Sequence, residues 1–410
     1  MLQMTTSSNY SVLTSALVVC YSGVNACSFG TCALICSSLL SLYQSIMVTM
    51  KSSHLSKFFL RFCALPLALL ASQLCSTALA KQDGFKGPGP YAVSVSSVEG
   101  QGLLFVPTGS APEGSWPAVV FAHGLCGPAE KYSSTLSRLA SWGFMVIASQ
   151  QQGDCGVMNV DHPFATLGNL FQLPIKFSNA VDFSGMADDI RSNLRYLKSR
   201  SDVDSSRLAL MGHSMGGGMV VDVASDLGAD GSDLVKAVVA IAPWNGVQPT
   251  PSSVVRSVSA PILIFCSMSD ALCPCSGEVQ LSDTQGVLTG NVSPEIPLLF
   301  GPSADPTWRG GATAIFDNSQ NAVLIDINRV SHFTIAGIDD GGDMQNFADW
   351  ARGESGLNFN KPSRPYVDIP TMEYAVAFLN QSLNLDAKSG KSFLDQSASD
   401  SRIVDIRRSR

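Results

Sequence analysis

From residue 117 onward the chain alternates short, almost unbroken apolar runs with segments of helical spacing. The apolar runs are Ala118–Ala122 (AVVFA), Phe144–Ala148 (FMVIA), Leu208–Met211 (LALM), Ala237–Ile241 (AVVAI), Ile262–Phe265 (ILIF) and Ala322–Ile327 (AVLIDI). Strands that read as continuous hydrophobic runs are covered on both faces, which predicts a buried and mostly parallel sheet. Between them, Ala129–Trp142, Met186–Lys198, Met215–Ser225 and Met372–Leu383 carry apolar residues at helical intervals. Repeated strand–helix alternation predicts a doubly wound α/β sheet with helices on both faces. Tyr91–Val98 and Gly102–Val106 read as an antiparallel start. Two segments, 150–183 and 276–320, exceed ordinary loop lengths; insertions after parallel strands border the ligand crevice or cover it. The last twenty residues are polar and are expected to fray.

The first 80 residues follow a different pattern. They hold no Asp or Glu, and their only basic residues are Lys51, Lys57 and Arg61. Met50–Lys57 precedes the apolar run Phe58–Leu79, which ends in Ala78-Leu79-Ala80. A basic start, an apolar middle and an A-x-A end make up a secretory signal peptide. The organisation expected is therefore a targeting leader over 1–80, a catalytic domain over 81–390 and a polar tail over 391–410. The Ser-rich, acid-free leader also suits an organelle transit peptide, and residues 1–49 leave room for a further membrane segment. After residue 80 no apolar stretch is long enough to span a bilayer.

The 410 residues are 45% hydrophobic and 14% charged, which is a globular composition. The net charge of -7 gives no reason to expect a nucleic-acid partner. Cys126, Cys155, Cys266, Cys273 and Cys275 follow the leader, so at most two disulfides form and one thiol is left over. Cys273 and Cys275 are too close in sequence to bridge each other easily. No Cys or His spacing points to a metal, and no cofactor is expected. Asn291-Val-Ser293 and Asn380-Gln-Ser382 are acceptor triplets for glycosylation in an exported chain.

The chemistry concentrates in LALMGHSMGGGMV, where Gly212-His-Ser214-Met-Gly216 stands between a strand and a helix. In that setting G-x-S-x-G is a nucleophile elbow, a tight turn that lifts the serine hydroxyl above the sheet. A serine needs a base, and the base needs a carboxylate to orient it. The chain order Ser, acid, His leaves His332 as the base, because His123 and His213 lie inside glycine motifs and His162 precedes the serine. The acid belongs at a strand end between them. Asp270, after ILIFCSMS, meets that condition, and Asp326 is the second candidate. The Met215 N–H at the helix start is one expected oxyanion donor. The Leu125 N–H, after AVVFA and His123-Gly124, is the other.

Together these motifs resemble the α/β-hydrolase superfamily, and more narrowly the cutinase-like polyester hydrolases and dienelactone-hydrolase-type esterases. The resemblance rests on Leu139-Ala-Ser-Trp-Gly-Phe144, Gly212-His-Ser-Met-Gly-Gly217, Ala242-Pro-Trp244, Pro261–Asp270 and Ser331-His-Phe333. It implies an α/β-hydrolase fold, a cofactor-free serine esterase and a monomer acting on small or polymeric esters. It further implies that Trp244 lines the substrate cleft. Both long insertions depart from the pattern, and so does Leu125, where an aromatic residue is common. Chlorophyllases share the His-Gly loop but carry Arg where Met215 stands and lack Ala-Pro-Trp. Platelet-activating-factor acetylhydrolases are a more distant likeness. The expectation is a secreted carboxylic-ester hydrolase. The alternatives are a plastid enzyme cleaving the phytyl ester of chlorophyll and an inactive hydrolase fold that binds without turnover.

Overall fold

The computed structural model describes residues 84–125, 127–150, 183–244, 255–268, 270, 273, 275, 311–338 and 369–409. The expected leader 1–80, His162, Asn291, Cys126, Cys155 and most of both insertions lie outside these residues.

Nine strands form one sheet in the order β1-β2-β4-β3-β5-β6-β7-β8-β9. They are β1 (Val93–Val98), β2 (Gly102–Pro107), β3 (Trp116–Ala122), β4 (Met145–Ser149), β5 (Val203–His213), β6 (Val235–Ile241), β7 (Ile262–Cys266), β8 (Ala322–Ile327) and β9 (Ile403–Arg408). The six central strands from β4 to β8 pair in parallel. β1 and β2 add antiparallel strands at one edge and β9 adds one at the other. This is the mixed, mostly parallel sheet of the α/β-hydrolase fold. Every apolar run singled out in the sequence lies in a central strand, with boundaries within a few residues.

The reason for continuous apolar runs is visible in β3, whose seven residues are all buried. Val119 and Phe121 face one core, with α1 (Ser133–Ser141), α5 (Thr371–Ser382) and α6 (Ala387–Asp395) packed over it. Ala118 and Val120 face a second core under α2 (Phe183–Ser199), α3 (Met215–Ala229) and α4 (Gly311–Asn318). Burying one large side chain such as Phe121 on either face contributes about 1.5–3 kcal/mol. Successive residues therefore serve opposite faces, and no polar position is left in the strand.

The C-terminal expectation is corrected. Residues 391–410 do not fray: α6 runs to Asp395, and β9 pairs with β8 through Ile325↔Ile406 and Leu324↔Arg407. Ile403 and Ile406 pack against the core, while Val404 and Asp405 between them face outward as befits an edge strand. The charges disguised a strand as a tail. Asn380 is likewise no glycosylation acceptor surface, because it is buried in α5 with its amide donating to the Val376 carbonyl at 2.9 Å.

The strand order places the functional corner. β3 and β5 are neighbours, and their C-terminal ends carry the His123-Gly124-Leu125 turn and the Ser214 turn side by side. A crevice at this point, outside the carboxyl ends of parallel strands, is where such sheets bind ligands.

Candidate active site

β5 ends at His213 and α3 begins at Met215, so the single residue between strand and helix is Ser214. Its backbone lies at φ 56° and ψ −122°, a region costly for a residue with a Cβ, on the order of 1–3 kcal/mol. Hydrogen bonds hold it there. Ser214 N–H donates to Ile241 O at 2.9 Å, and Ser214 O accepts from Gly218 N–H at 3.1 Å and Trp244 N–H at 2.9 Å. The hydroxyl makes no capping bond to the helix. The glycines are required by close approach. A Cβ on Gly212 would lie 2.3 Å from Gly216 O, and one on Gly216 would lie 2.3 Å from Ala122 O.

Asp270 follows β7, and His332 follows β8 by five residues. Although 62 residues apart, they meet: His332 Nδ1 donates to Asp270 Oδ2 at 2.7 Å. Asp270 Oδ1 accepts from Cys273 N–H at 2.8 Å, which fixes the carboxylate from the other side. Ser214, Asp270 and His332 are 8%, 2% and 3% exposed, so their electrostatics act with little water between them. Burial disfavours the imidazolium of His332, but the Asp270 carboxylate outweighs it and holds the proton affinity above the ordinary imidazole value. The structure separates the two candidate acids. Asp326 is buried beside the Cys266–Cys275 disulfide, one strand position from β8's end, while Asp270 is the carboxylate bonded to His332. Burial, with help from Asp405, pushes the Asp326 carboxyl up to about 6.

The two glycine-motif histidines have structural partners. His213 Nε2 faces the His332 carbonyl at 2.8 Å, and a carbonyl only accepts, so Nε2 carries the proton. Its Nδ1 therefore accepts from the Tyr132 hydroxyl at 2.9 Å. That hydroxyl in turn accepts from the Gly124 N–H at 3.0 Å. Burial pushes the His213 pKa well below the ordinary value, consistent with a neutral ring. One chain of hydrogen bonds thus ties the Gly124 turn, the Ser214 turn and the His332 loop together. His123 Nδ1 donates to Gly124 O at 2.7 Å and shapes the same turn.

Tyr132 was not visible as a site residue in the sequence, since nothing local marks a tyrosine at the start of a helix as a bridge between loops. Cys273 was visible only as a surplus thiol. It is free and buried, and its thiol stands close enough to the His332 and Ser214 side chains to interact with both.

Trp244 is half-buried and packs against both cores. It follows Ala242, which adopts a positive φ of 42°, and its N–H reaches the Ser214 carbonyl. Leu125 stands in the turn after β3, and Met215 is the first residue of α3. Among the described residues, Cys266, Cys275 and Asp326 bring potential metal-donor atoms within 4.8 Å of one another, but the two sulfurs are joined in a disulfide and offer no thiolate.

Residues 79–280 match the model of the family described as PETase, PET hydrolase-like. The chain is 29% identical over 203 residues to a bis(hydroxyethyl) terephthalate hydrolase of Streptomyces coelicolor, covering 47% of this chain and 54% of that protein. It is 29% identical over 195 residues to cutinase est1 of Thermobifida alba, covering 46% and 55%. It is 30% identical over 193 residues to cutinase 1 of Thermobifida cellulosilytica, covering 45% and 62%. The chain spans little more than half the length of these curated relatives. The PET hydrolase-like segment contains Leu125, Ser214, Trp244 and Asp270, whereas His332 and the closing strands lie beyond it.

Proposed function

We propose that this chain is a serine carboxylic-ester hydrolase that works through an acyl-enzyme on cutinase-like or polyester substrates. The observation that carries the reading is the convergence of three strand ends: a serine in a strained β5–α3 turn, and a buried histidine bonded to Asp270 at 2.7 Å. In this reading Ser214 Oγ attacks the ester carbonyl while His332 takes its proton through Nε2, the nitrogen not engaged by Asp270. Asp270 fixes the tautomer and stabilises the imidazolium that forms. The negative charge developing on the carbonyl oxygen is held by the Leu125 and Met215 N–H groups, the second at a helix N-terminus where the dipole favours an anion. His332 then returns the proton to the leaving alcohol, and water repeats the sequence in reverse on the acyl-enzyme. No cofactor is needed at any step.

Trp244, held over the turn by its own N–H bond to Ser214 O, supplies an aromatic wall suited to an aryl or polymer ester. The family match and the relatives' names support an ester, and a polyester in particular. We place the enzyme outside the cell, on the basic, apolar, A-x-A pattern of residues 50–80. Among the described residues no helix is long and apolar enough to cross a membrane.

The test is turnover of short p-nitrophenyl esters, bis(hydroxyethyl) terephthalate, triglyceride and chlorophyll by the mature chain and by Ser214→Ala. We expect hydrolysis of the aryl and terephthalate esters that disappears in the variant. Undiminished turnover in Ser214→Ala, or turnover of chlorophyll alone, overturns the reading.

A further inference from the structure

The mechanism above leaves one buried nucleophile unused. Cys273 carries a free thiol and is 8% exposed, the same as Ser214. It is held at both ends. Its N–H donates to Asp270 Oδ1 at 2.8 Å, and two residues on Cys275 is tied to Cys266 at the end of β7, with the Cys275 carbonyl accepting from the Thr313 N–H and hydroxyl. The thiol stands close enough to the His332 and Ser214 side chains to interact with both. With Nδ1 of His332 given to Asp270, the nitrogen left to serve as a base is Nε2, and the thiol stands beside that ring.

A thiol next to a histidine that a carboxylate orients is the arrangement of a Cys-His-Asp nucleophile. Sulfur is also the stronger nucleophile of the two once deprotonated. Burial pushes the thiol's pKa up, so at rest it keeps its proton and needs a base to lose it. The adjacent His332 is that base. A small reagent that reaches Ser214 also meets the thiol that stands close to it.

We infer that Cys273 is a second nucleophile served by the same His332–Asp270 pair, which makes the site a target for small thiol-directed electrophiles that leave Ser214 itself unmodified. The inference rests on the ester-hydrolase reading for its effect on turnover, but not for the modification itself. With methyl methanethiosulfonate the step is balanced. His332 Nε2 takes the thiol proton, the sulfur attacks the methylthio sulfur of the reagent, the reagent's S–S bond breaks, and methanesulfinate leaves with the electron pair. Cys273 is oxidised to a methyl mixed disulfide and the reagent is reduced. The added methylthio group then occupies the space between Ser214 and His332, and the serine loses its base.

The experiment treats the folded mature chain, under non-reducing conditions, with methyl methanethiosulfonate. Peptide mass mapping reads Cys273, and the rate of labelling by a fluorophosphonate reads Ser214. We expect the mixed disulfide on Cys273 and a fall in Ser214 labelling of at least about a hundredfold, as for a displaced catalytic group. Cys273→Ala, and Cys273→Ser should the alanine variant not fold, keep their own starting rates after treatment. The inference is overturned if Cys273 stays unmodified in the folded chain while reacting in urea, if its modification leaves Ser214 labelling unchanged, or if both variants are inactivated like the wild type. Failure of the hydrolase reading is distinguishable: untreated protein would then show no Ser214 labelling at all, whatever happens at Cys273.

Discussion

Two buried charged clusters divide this molecule's chemistry from its architecture. At the crevice, Asp270 meets His332 through one short bond, and the Cys273 thiol stands beside the same imidazole. At the C-terminal edge, the Arg402 guanidinium grips both oxygens of Glu373 at 3.0 and 2.6 Å and bonds Asp400 as well. Asp400 also accepts from the Tyr374 hydroxyl and the Arg402 N–H. Burial works against the Asp400 carboxylate, yet Arg402 brings it down to about 2. Both clusters hold a buried carboxylate against a partner, Asp270 against His332 and Glu373 against the partly buried Arg402. The difference is saturation: the edge cluster spends its donors on holding α5 to the approach to β9, whereas in the proposed mechanism the crevice cluster keeps one imidazole nitrogen for a nucleophile. Burial of charge alone does not mark a catalytic site, and it is the proposed free nitrogen that sets the crevice pair apart.

Breaking each cluster should therefore move different observables. Asp270→Asn removes the carboxylate that fixes the His332 tautomer, and kcat on an aryl ester should fall about 10⁴-fold with the unfolding midpoint little changed. Equal losses of rate and stability would erase the distinction drawn here. Arg402→Ala should do the reverse, destabilising the fold by about 3 kcal/mol in urea because buried Glu373 keeps only its longer 4.0 Å contact to Arg138, with kcat per folded molecule retained. The same variant should unfold at higher pH on acidification. Asp400's lowered pKa gives stability present above the ordinary carboxylate value and lost as the pH falls toward 2, and the variant no longer has it.

Tyr132→Phe sharpens the comparison within the crevice. It strips the Gly124 N–H and His213 Nδ1 of their shared partner and should cost about 1–3 kcal/mol of stability, read by urea unfolding. The smallest effect concerns Asp326. Its raised pKa of about 6 contributes stability that is full below the ordinary carboxylate value and lost as the pH rises through 6. Asp326→Asn should therefore be more stable than wild type at pH 8 and not at pH 4. A variant less stable at pH 8 would contradict the account of that carboxylate.

Much of this was legible in the chain. Strands covered on both faces write themselves as AVVFA or ILIF, so the sheet's centre could be read directly, and chain order assigned an acid and a base to Ser214 before either was seen in space. The edge was not legible, because Ile403-Val-Asp-Ile-Arg-Arg408 mixes its two packed isoleucines with charges that face outward. The sequence ranked Asp270 ahead of Asp326, but the contact itself was not legible. It depends on a turn carrying Asp270 past the end of β7 to His332, while Asp326 stays within β8 beside Cys266. Tyr132 and Cys273 were hidden for a related reason. Their roles come from contacts across 81 residues to His213 and 59 residues to His332, which no local pattern records.

The central claim is that Ser214 is a nucleophile activated by His332 and Asp270, and covalent labelling tests it without assuming a substrate. Mature protein is treated with a fluorophosphonate probe and mapped by peptide mass spectrometry, beside the Asp270→Asn and His332→Ala variants. The account predicts the probe on Ser214, at a rate that collapses in both variants. Labelling elsewhere, no labelling, or labelling of Ser214 at the wild-type rate without His332 would contradict it.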